Sequence, residues 1–156
     1  LAYKGLGELF VLIFFGFAAV GGVFFLQTAK YTFNSFVGGL QVGLLASVLI
    51  SINNLRDTEG DQKANKKTLA VRFGKRFALW KIFFLFFFSY ALQFYWFFKY
   101  QNLITFLPML TLPIAYKVIN GLVQNSQGFI FNKFLAMSAG IQMIFGILMS
   151  IALFFC

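Results

Sequence analysis

The sequence predicts an all-α fold, a polytopic transmembrane bundle of about five helices, and three observations carry that reading. Hydrophobic residues make up 60% and aromatics 21% of the 156 residues, far beyond an ordinary soluble domain. Five apolar segments have the roughly 20-residue length that a helix needs to cross a bilayer core about 30 Å thick. Runs such as Phe83-Phe84-Leu85-Phe86-Phe87-Phe88 show no period of two, which excludes barrel strands.

The segments fall at 8–27, 37–54, 77–98, 103–120 and 130–155, separated by polar or charged stretches. The first has no basic leader and no small-residue cleavage site, so it reads as a span and not as a signal peptide. In the second, Gly39, Gly43 and Ala46 share a helical stripe with Asn53, Asn54 and Asp57. Small residues mark faces turned to other helices, so the polar end of this helix points into the bundle. Phe-rich segment three reads as lipid-facing. Segment four holds both prolines, Pro108 and Pro113, and is expected to kink. Segment five carries Ser138, Gln142, Gly146 and Ser150 at intervals of four, a stripe suited to interhelical hydrogen bonds. No linker or repeat divides the chain, so residues 1–156 read as one domain, with an acidic and basic motif loop at 53–76.

A formal charge of +9 could serve nucleic acid, but its placement excludes that partner and points to the lipid bilayer. Arg56, Lys63, Lys66, Lys67, Arg72, Lys75, Arg76 and Lys81 crowd the second loop, and Lys4, Lys117 and Lys133 fall on the same side. Only Lys30 and Lys99 lie opposite, which places the motif loop in the cytoplasm of a multi-pass inner (cytoplasmic) membrane protein. The absence of histidine excludes His-based metal sites and triads, and the single Cys156 allows no internal disulfide. The chain opens on Leu1 and ends in an apolar run, and is read as part of a longer one.

Only four carboxylates are present, and Asp57, Glu59 and Asp61 fall within five residues at the membrane end of the second helix. Ionised groups at a membrane are costly, and neighbouring carboxylates repel one another unless a cation joins them. Asn53, Asp57 and Asp61 recur at intervals of four, an N-x-x-x-D-x-x-x-D pattern of oxygen donors suited to a hard cation such as Mg²⁺. Magnesium takes one or two carboxylates and completes its shell with water and substrate phosphate. The basic run Lys63, Lys66, Lys67 and Arg72 would attract that phosphate, so the whole reads as a metal–diphosphate site. Gly60 is expected to loosen the helix before Asp61. Glu59 is rotated off the stripe, and Lys75, Arg76 and Lys81 read as solvated charges that set topology.

The stretch NNLRDTEGDQKANKKTLAVRFGKR, residues 53–76, resembles the second aspartate-rich motif of the UbiA superfamily of intramembrane prenyltransferases, and YKGLGELFVLIFFG at 3–16 and LQT at 26–28 resemble its menaquinone-pathway branch. The resemblance implies the last five of nine helices around a cavity, with a missing amino-terminal half that supplies a first acidic motif. It implies that Asp57 and Asp61 are catalytic and, with Asn53, bind Mg²⁺ bridged to a polyprenyl diphosphate. Asn53, Asn54, Arg56, Lys66, Lys67 and Arg72 then bind the diphosphate. The implied reaction transfers the polyprenyl group to an aromatic acceptor, 1,4-dihydroxy-2-naphthoate in that branch, to give demethylmenaquinone. Other branches use a benzoate, homogentisate or a tetrapyrrole. The rival readings are a truncated non-catalytic subunit and a cation-dependent transporter, though no carboxylate lies at mid-span as a transporter would require.

Overall fold

The computed structural model describes residues 5–125 and 128–156, so Lys4, counted above on the cytoplasmic side, lies outside the described residues. Among the described residues there is no strand, and five helices are long and apolar enough to cross a membrane. They are α1 (Gly7–Thr28), α2 (Phe33–Arg56), a helix running Leu69–Tyr100, one running Leu103–Gln124 and a last one, Ile130–Phe154.

Helix α1 contains a π-helical stretch, Leu12–Gly21, that no feature of the sequence announces. It ends at Ala29 in the left-handed conformation. Helix α2 starts four residues earlier than expected because Thr32 and Ser35 form a capping box: each side chain receives the other's backbone N–H, at 3.2 and 3.1 Å. A short helix α3 (Thr58–Lys63) follows after a joint at Asp57, where φ is −93° and ψ 11°. The expected loosening at Gly60 is therefore displaced to Asp57, and Gly60 sits within regular helix.

Helix α4 (Leu69–Ala91) begins eight residues before its expected start, because the Thr68 hydroxyl caps it by accepting from the Val71 N–H at 3.3 Å. The basic stretch after it is thus helical, broken only at Gly74, whose φ of 78° and ψ of 176° suit glycine alone. Helix α5 (Gln93–Tyr100) prolongs the same span. The proline-bearing span is divided between two helix types: Pro108 lies in a 3₁₀ stretch, Leu103–Thr111, and Pro113 opens α6 (Leu112–Gln124). The Thr111 hydroxyl donates to the Pro108 carbonyl at 2.8 Å, and the Leu112 N–H to that of Met109, so the disturbed carbonyls keep partners. Helix α7 (Ile130–Phe154) closes the bundle.

Helix α2 is the centre: 67% of its most apolar stretch is buried, against 33% or less in the other spans. Its glycine stripe packs on α1, where a Cβ on Gly39 would stand 2.8 Å from the Gly16 carbonyl oxygen and one on Gly43 2.8 Å from that of Leu12. The small-residue face does turn to a neighbouring helix, as expected. The opposite face buries Leu45, Val48, Ile52 and Leu55 in a core shared with Ile82 and Phe86 of α4 and Phe131, Ile141 and Phe145 of α7. Buried Gln41 ties α2 to the next span, its Nε2 donating to the Ser89 carbonyl at 3.0 Å and its Oε1 accepting from Trp96 Nε1 at 2.6 Å. Phe83, Phe84, Phe87 and Phe88 are exposed on the outer face of α4, in keeping with contact with lipid. The stripe on α7 does not form the interhelical bonds expected of it. The Ser150 hydroxyl donates to the Gly146 carbonyl of its own helix, and the buried Ser138 hydroxyl has no partner.

Candidate functional site

The end of α2 carries the acidic motif. Backbone hydrogen bonds continue through the joint, Asp57 N–H to the Asn53 carbonyl at 3.0 Å and Asp61 N–H to that of Asp57 at 2.8 Å, so the three motif positions keep their helical succession. Their side chains nevertheless have different surroundings. Asp57 is half-buried, whereas Asp61 is buried on α3 and accepts from Lys66 Nζ at 3.0 Å.

Arg56 organises the first half of the motif. Its Nε and Nη2 grip the two Asp57 oxygens, each at 2.7 Å; Nη2 also donates to Asn53 Oδ1 at 2.8 Å, and Nη1 to Asn132 Oδ1 at 2.6 Å. Four oxygens from two helix ends and the joint thus gather about one positive charge. The Arg56 hydrogen bonds, with the nearby charges of Arg56 and Lys66, hold the Asp57 carboxyl below its ordinary value, against a smaller opposing effect of burial. A cavity of about 390 Å³ opens there, lined by Arg56, Asp57, Gly128, Phe129 and Asn132. A second, largely apolar cleft of about 320 Å³ lies between α1, α2 and α7, with Asn53 and Gln142 as its polar walls among Val11, Phe15 and Leu135.

The remaining predicted residues divide into two groups. Lys66 joins the site through Asp61, while Lys67 and Arg72 have exposed side chains at the turn into α4. The Lys67 carbonyl packs where a Cβ on Gly5 would stand 2.7 Å away, which ties the motif to the start of α1. Glu59 is exposed, as its place off the stripe implies. Asn54 turns towards α1, where its Nδ2 donates to Glu8 Oε1 at 3.2 Å.

Two residues that reasoning from the sequence missed belong to this neighbourhood. Asn132 reaches Arg56 from 76 positions away, and Glu8 reaches Asn54 from 46 positions away. The only signal for Glu8 was that it is a carboxylate at the edge of an apolar span. Lys81, read above as a solvated topological charge, is instead paired with Glu8, its side chain 15% exposed.

The donor set is compatible with a magnesium ion. Asn53 Oδ1 and the Asp57 oxygens already converge on a cationic group, and one or two carboxylates suffice for an ion that retains water and phosphate ligands. Among the described residues no group of three or more His, Cys, Asp or Glu side chains could enclose a metal alone. Alone, these oxygens would form only part of such an ion's shell.

The sequence model of the UbiA prenyltransferase family matches residues 1–138. The chain is similar to a 1,4-dihydroxy-2-naphthoate octaprenyltransferase of Haemophilus influenzae, 51% identical over 72 residues that cover 46% of this chain and 23% of the relative. A protein of the same description from Bacillus subtilis is 32% identical over 162 positions, covering 98% of this chain and 50% of the relative. Human UbiA prenyltransferase domain-containing protein 1 is 30% identical over 145 residues, 93% of this chain and 41% of the relative. The chain thus spans about half the length of the Bacillus subtilis relative and less of the others. No solved structure matches it.

Proposed function

The chain belongs to the UbiA prenyltransferase family, and on that basis we propose that the protein of which it forms part transfers a polyprenyl group from its diphosphate to an aromatic acceptor, 1,4-dihydroxy-2-naphthoate. The observation that carries this reading is the convergence of Asn53 and Asp57 oxygens on one positive charge, with Lys66 and Lys67 on the turn that follows and Arg72 at the start of α4. An anionic diphosphate bound through a cation needs both signs of charge side by side.

In the reaction, the allylic C–O bond breaks and its electron pair leaves with the diphosphate. The electron-rich ring then forms the new C–C bond to the allylic carbon, and carbon dioxide departs from the naphthoate carboxylate, leaving its electron pair in the ring, to give demethylmenaquinol, the hydroquinone form. Asn53, Asp57 and Asp61 would hold Mg²⁺, which when bound neutralises the diphosphate and stabilises its departure. Asp57 is suited to the part because Arg56 keeps its carboxyl ionised below the ordinary range. Arg56, Lys66, Lys67 and Arg72 offset phosphate charge, and the apolar cleft beside Asn53 excludes water from the allylic cation. The excess of basic residues on the motif side supports a cytoplasmic placement of that side, in an inner membrane. Further oxygen donors to that ion would come from the part of the protein beyond this chain, which spans about half the length of its Bacillus subtilis relative.

The test uses membranes carrying a chain with both halves of the family's length, given labelled polyprenyl diphosphate, Mg²⁺ and a choice of aromatic acceptors. The expected result is a prenylated naphthoate-derived product, lost on chelation and reduced about 100-fold or more by D57A or D61A. Absence of prenylated product with every acceptor, or full turnover in both variants, overturns the reading.

A further inference from the structure

Beside the proposed site stands an ion pair that the reaction as derived does not use. Glu8 of α1 and Lys81 of α4 are bonded through Oε1 and Nζ, with side chains only 11% and 15% exposed. The same Oε1 accepts from Asn54 Nδ2 at 3.2 Å, so a single carboxylate oxygen joins α1, α2 and α4 beside the acidic motif. Helix packing alone does not call for this. Apolar residues of similar volume commonly replace a buried ion pair without loss of stability, whereas charges inside membrane proteins tend to be functional.

The consequence lies in the direction of the Asn54 amide. An ion-paired carboxylate accepts hydrogen bonds and donates none, while a side-chain amide has N–H groups at one end and lone pairs at the other. Glu8 therefore fixes which end faces it: Nδ2 must turn to α1, and Oδ1 must turn away. We propose that Glu8, anchored by Lys81, is a positioning residue that presents Asn54 to the site through Oδ1, as an oxygen donor to a cation or a hydroxyl group. This rests on the site reading above and narrows it, because an oxygen with lone pairs repels a phosphate oxygen. The partner is Mg²⁺ or the hydroxyl of the aromatic acceptor, and the diphosphate is left to the lysines and arginines.

The test again uses a chain with both halves. The double variant E8L/K81M removes both charges together and strands neither. Loss of the orienting partner should raise the half-saturating concentration of either Mg²⁺ or the aromatic acceptor about 10–100-fold, as is typical for supporting residues. The constant that rises identifies the partner, and the KM for polyprenyl diphosphate stays within about twofold. Adding N54D to that background should restore the constant, because both ends of a carboxylate are oxygens and need no orientation. A packing role would not be rescued in this way. Unchanged constants in E8L/K81M, failure of the N54D rescue, or a rise confined to polyprenyl diphosphate overturns the proposal. A second measurement is independent of turnover and of that double variant's folding. Inorganic pyrophosphate binding without divalent metal, followed by calorimetry, should be the same in N54L as in the parent, and weaker binding in N54L overturns the assignment. A parent chain that binds pyrophosphate but makes no prenylated product defeats the transferase reading, while the pyrophosphate comparison still decides the role of Asn54.

Discussion

Arg56 and Asp57, neighbours in sequence, form a two-pronged ion pair, with Nε to Oδ1 and Nη2 to Oδ2 both at 2.7 Å. Successive residues on a regular helix point about 100° apart, and the joint at Asp57 is what lets these two side chains meet. The pair lowers the Asp57 carboxyl below its ordinary value of 3.8. Because the folded value is depressed, the pair stabilises the protein above that ordinary value, and the contribution fades as pH falls through the folded value. Asp57 is 39% exposed, so solvent screens the gain, and the effect is better sought in activity than in unfolding. Arg56→Met should move the acid limb of the kcat/KM profile to higher pH, as Asp57 returns towards an unperturbed carboxylate. An acid limb that stays in place would show that Arg56 does not govern Asp57.

The Asn132 side chain joins Arg56 to α7. A hydrogen bond to a charged group is worth about 1.5–3 kcal/mol when buried, and this one is exposed, so the lower end applies. Asn132→Leu should therefore raise the KM for polyprenyl diphosphate by roughly tenfold at most, with kcat little changed, because the variant removes one of the hydrogen bonds that fix the Arg56 head group and leaves its charge in place. Steady-state kinetics with varied diphosphate at saturating acceptor measures the split. A fall in kcat at constant KM would mean that Asn132 acts on the reacting atoms instead.

The spans and the acidic motif were legible in the sequence because each rests on local pattern. A bilayer demands about 20 apolar residues in succession, and Asn53, Asp57 and Asp61 announce themselves by spacing. The stripe of Gly39 and Gly43 was also legible, since small residues on one face have meaning only against another helix. What stayed hidden depends on distant partners or on capping. Glu8 and Lys81 are 73 positions apart, and nothing in either neighbourhood distinguishes a buried pair from two charges at a membrane surface. The early start of α4 depends on the Thr68 cap, which holds a charged stretch in helix despite its polarity. On α7 the spacing of Ser138 and Ser150 predicts interhelical hydrogen bonds that do not form: the Ser138 hydroxyl has no partner, and that of Ser150 satisfies itself on its own helix.

The contact of α1 with α2 admits no added carbon. A Cβ on Gly16 would lie 2.5 Å from the Gly39 carbonyl oxygen and one on Gly39 2.8 Å from that of Gly16, and both obstacles are backbone, so the helices themselves would have to separate. Gly16→Ala and Gly39→Ala should each cost about 1–3 kcal/mol, the usual penalty of overpacking. Gly140, on α7, has nothing within 4 Å of an added Cβ, and Gly140→Ala should be neutral or stabilising by up to about 1 kcal/mol. Reversible unfolding of the purified protein in detergent compares the three. Equal gains at all three positions would show that helix propensity, and not the close approach, controls the effect.

Gln41 offers a separate test of what holds the second and third spans together. It is fully buried, and its two ends satisfy different groups: Nε2 the Ser89 backbone carbonyl, Oε1 the Trp96 indole N–H. Gln41→Ala strands both, where water cannot replace the lost partners, and the expected cost is about 1–3 kcal/mol, since an unsatisfied buried group costs more than a hydrogen bond gains. Hydrogen bonds between membrane helices average less, about 0.6 kcal/mol, when the freed groups find new partners, so a loss near that figure would mean that Trp96 or Ser89 re-pairs. Ser89→Ala is the control. The Ser89 hydroxyl donates to Leu85 of its own helix at 2.7 Å, and only the Ser89 backbone serves Gln41, so this change should leave the network intact and cost far less. If Ser89→Ala destabilised the protein as much as Gln41→Ala in the same unfolding assay, the link between spans would depend on side-chain packing at position 89 and not on the polar bridge from Gln41.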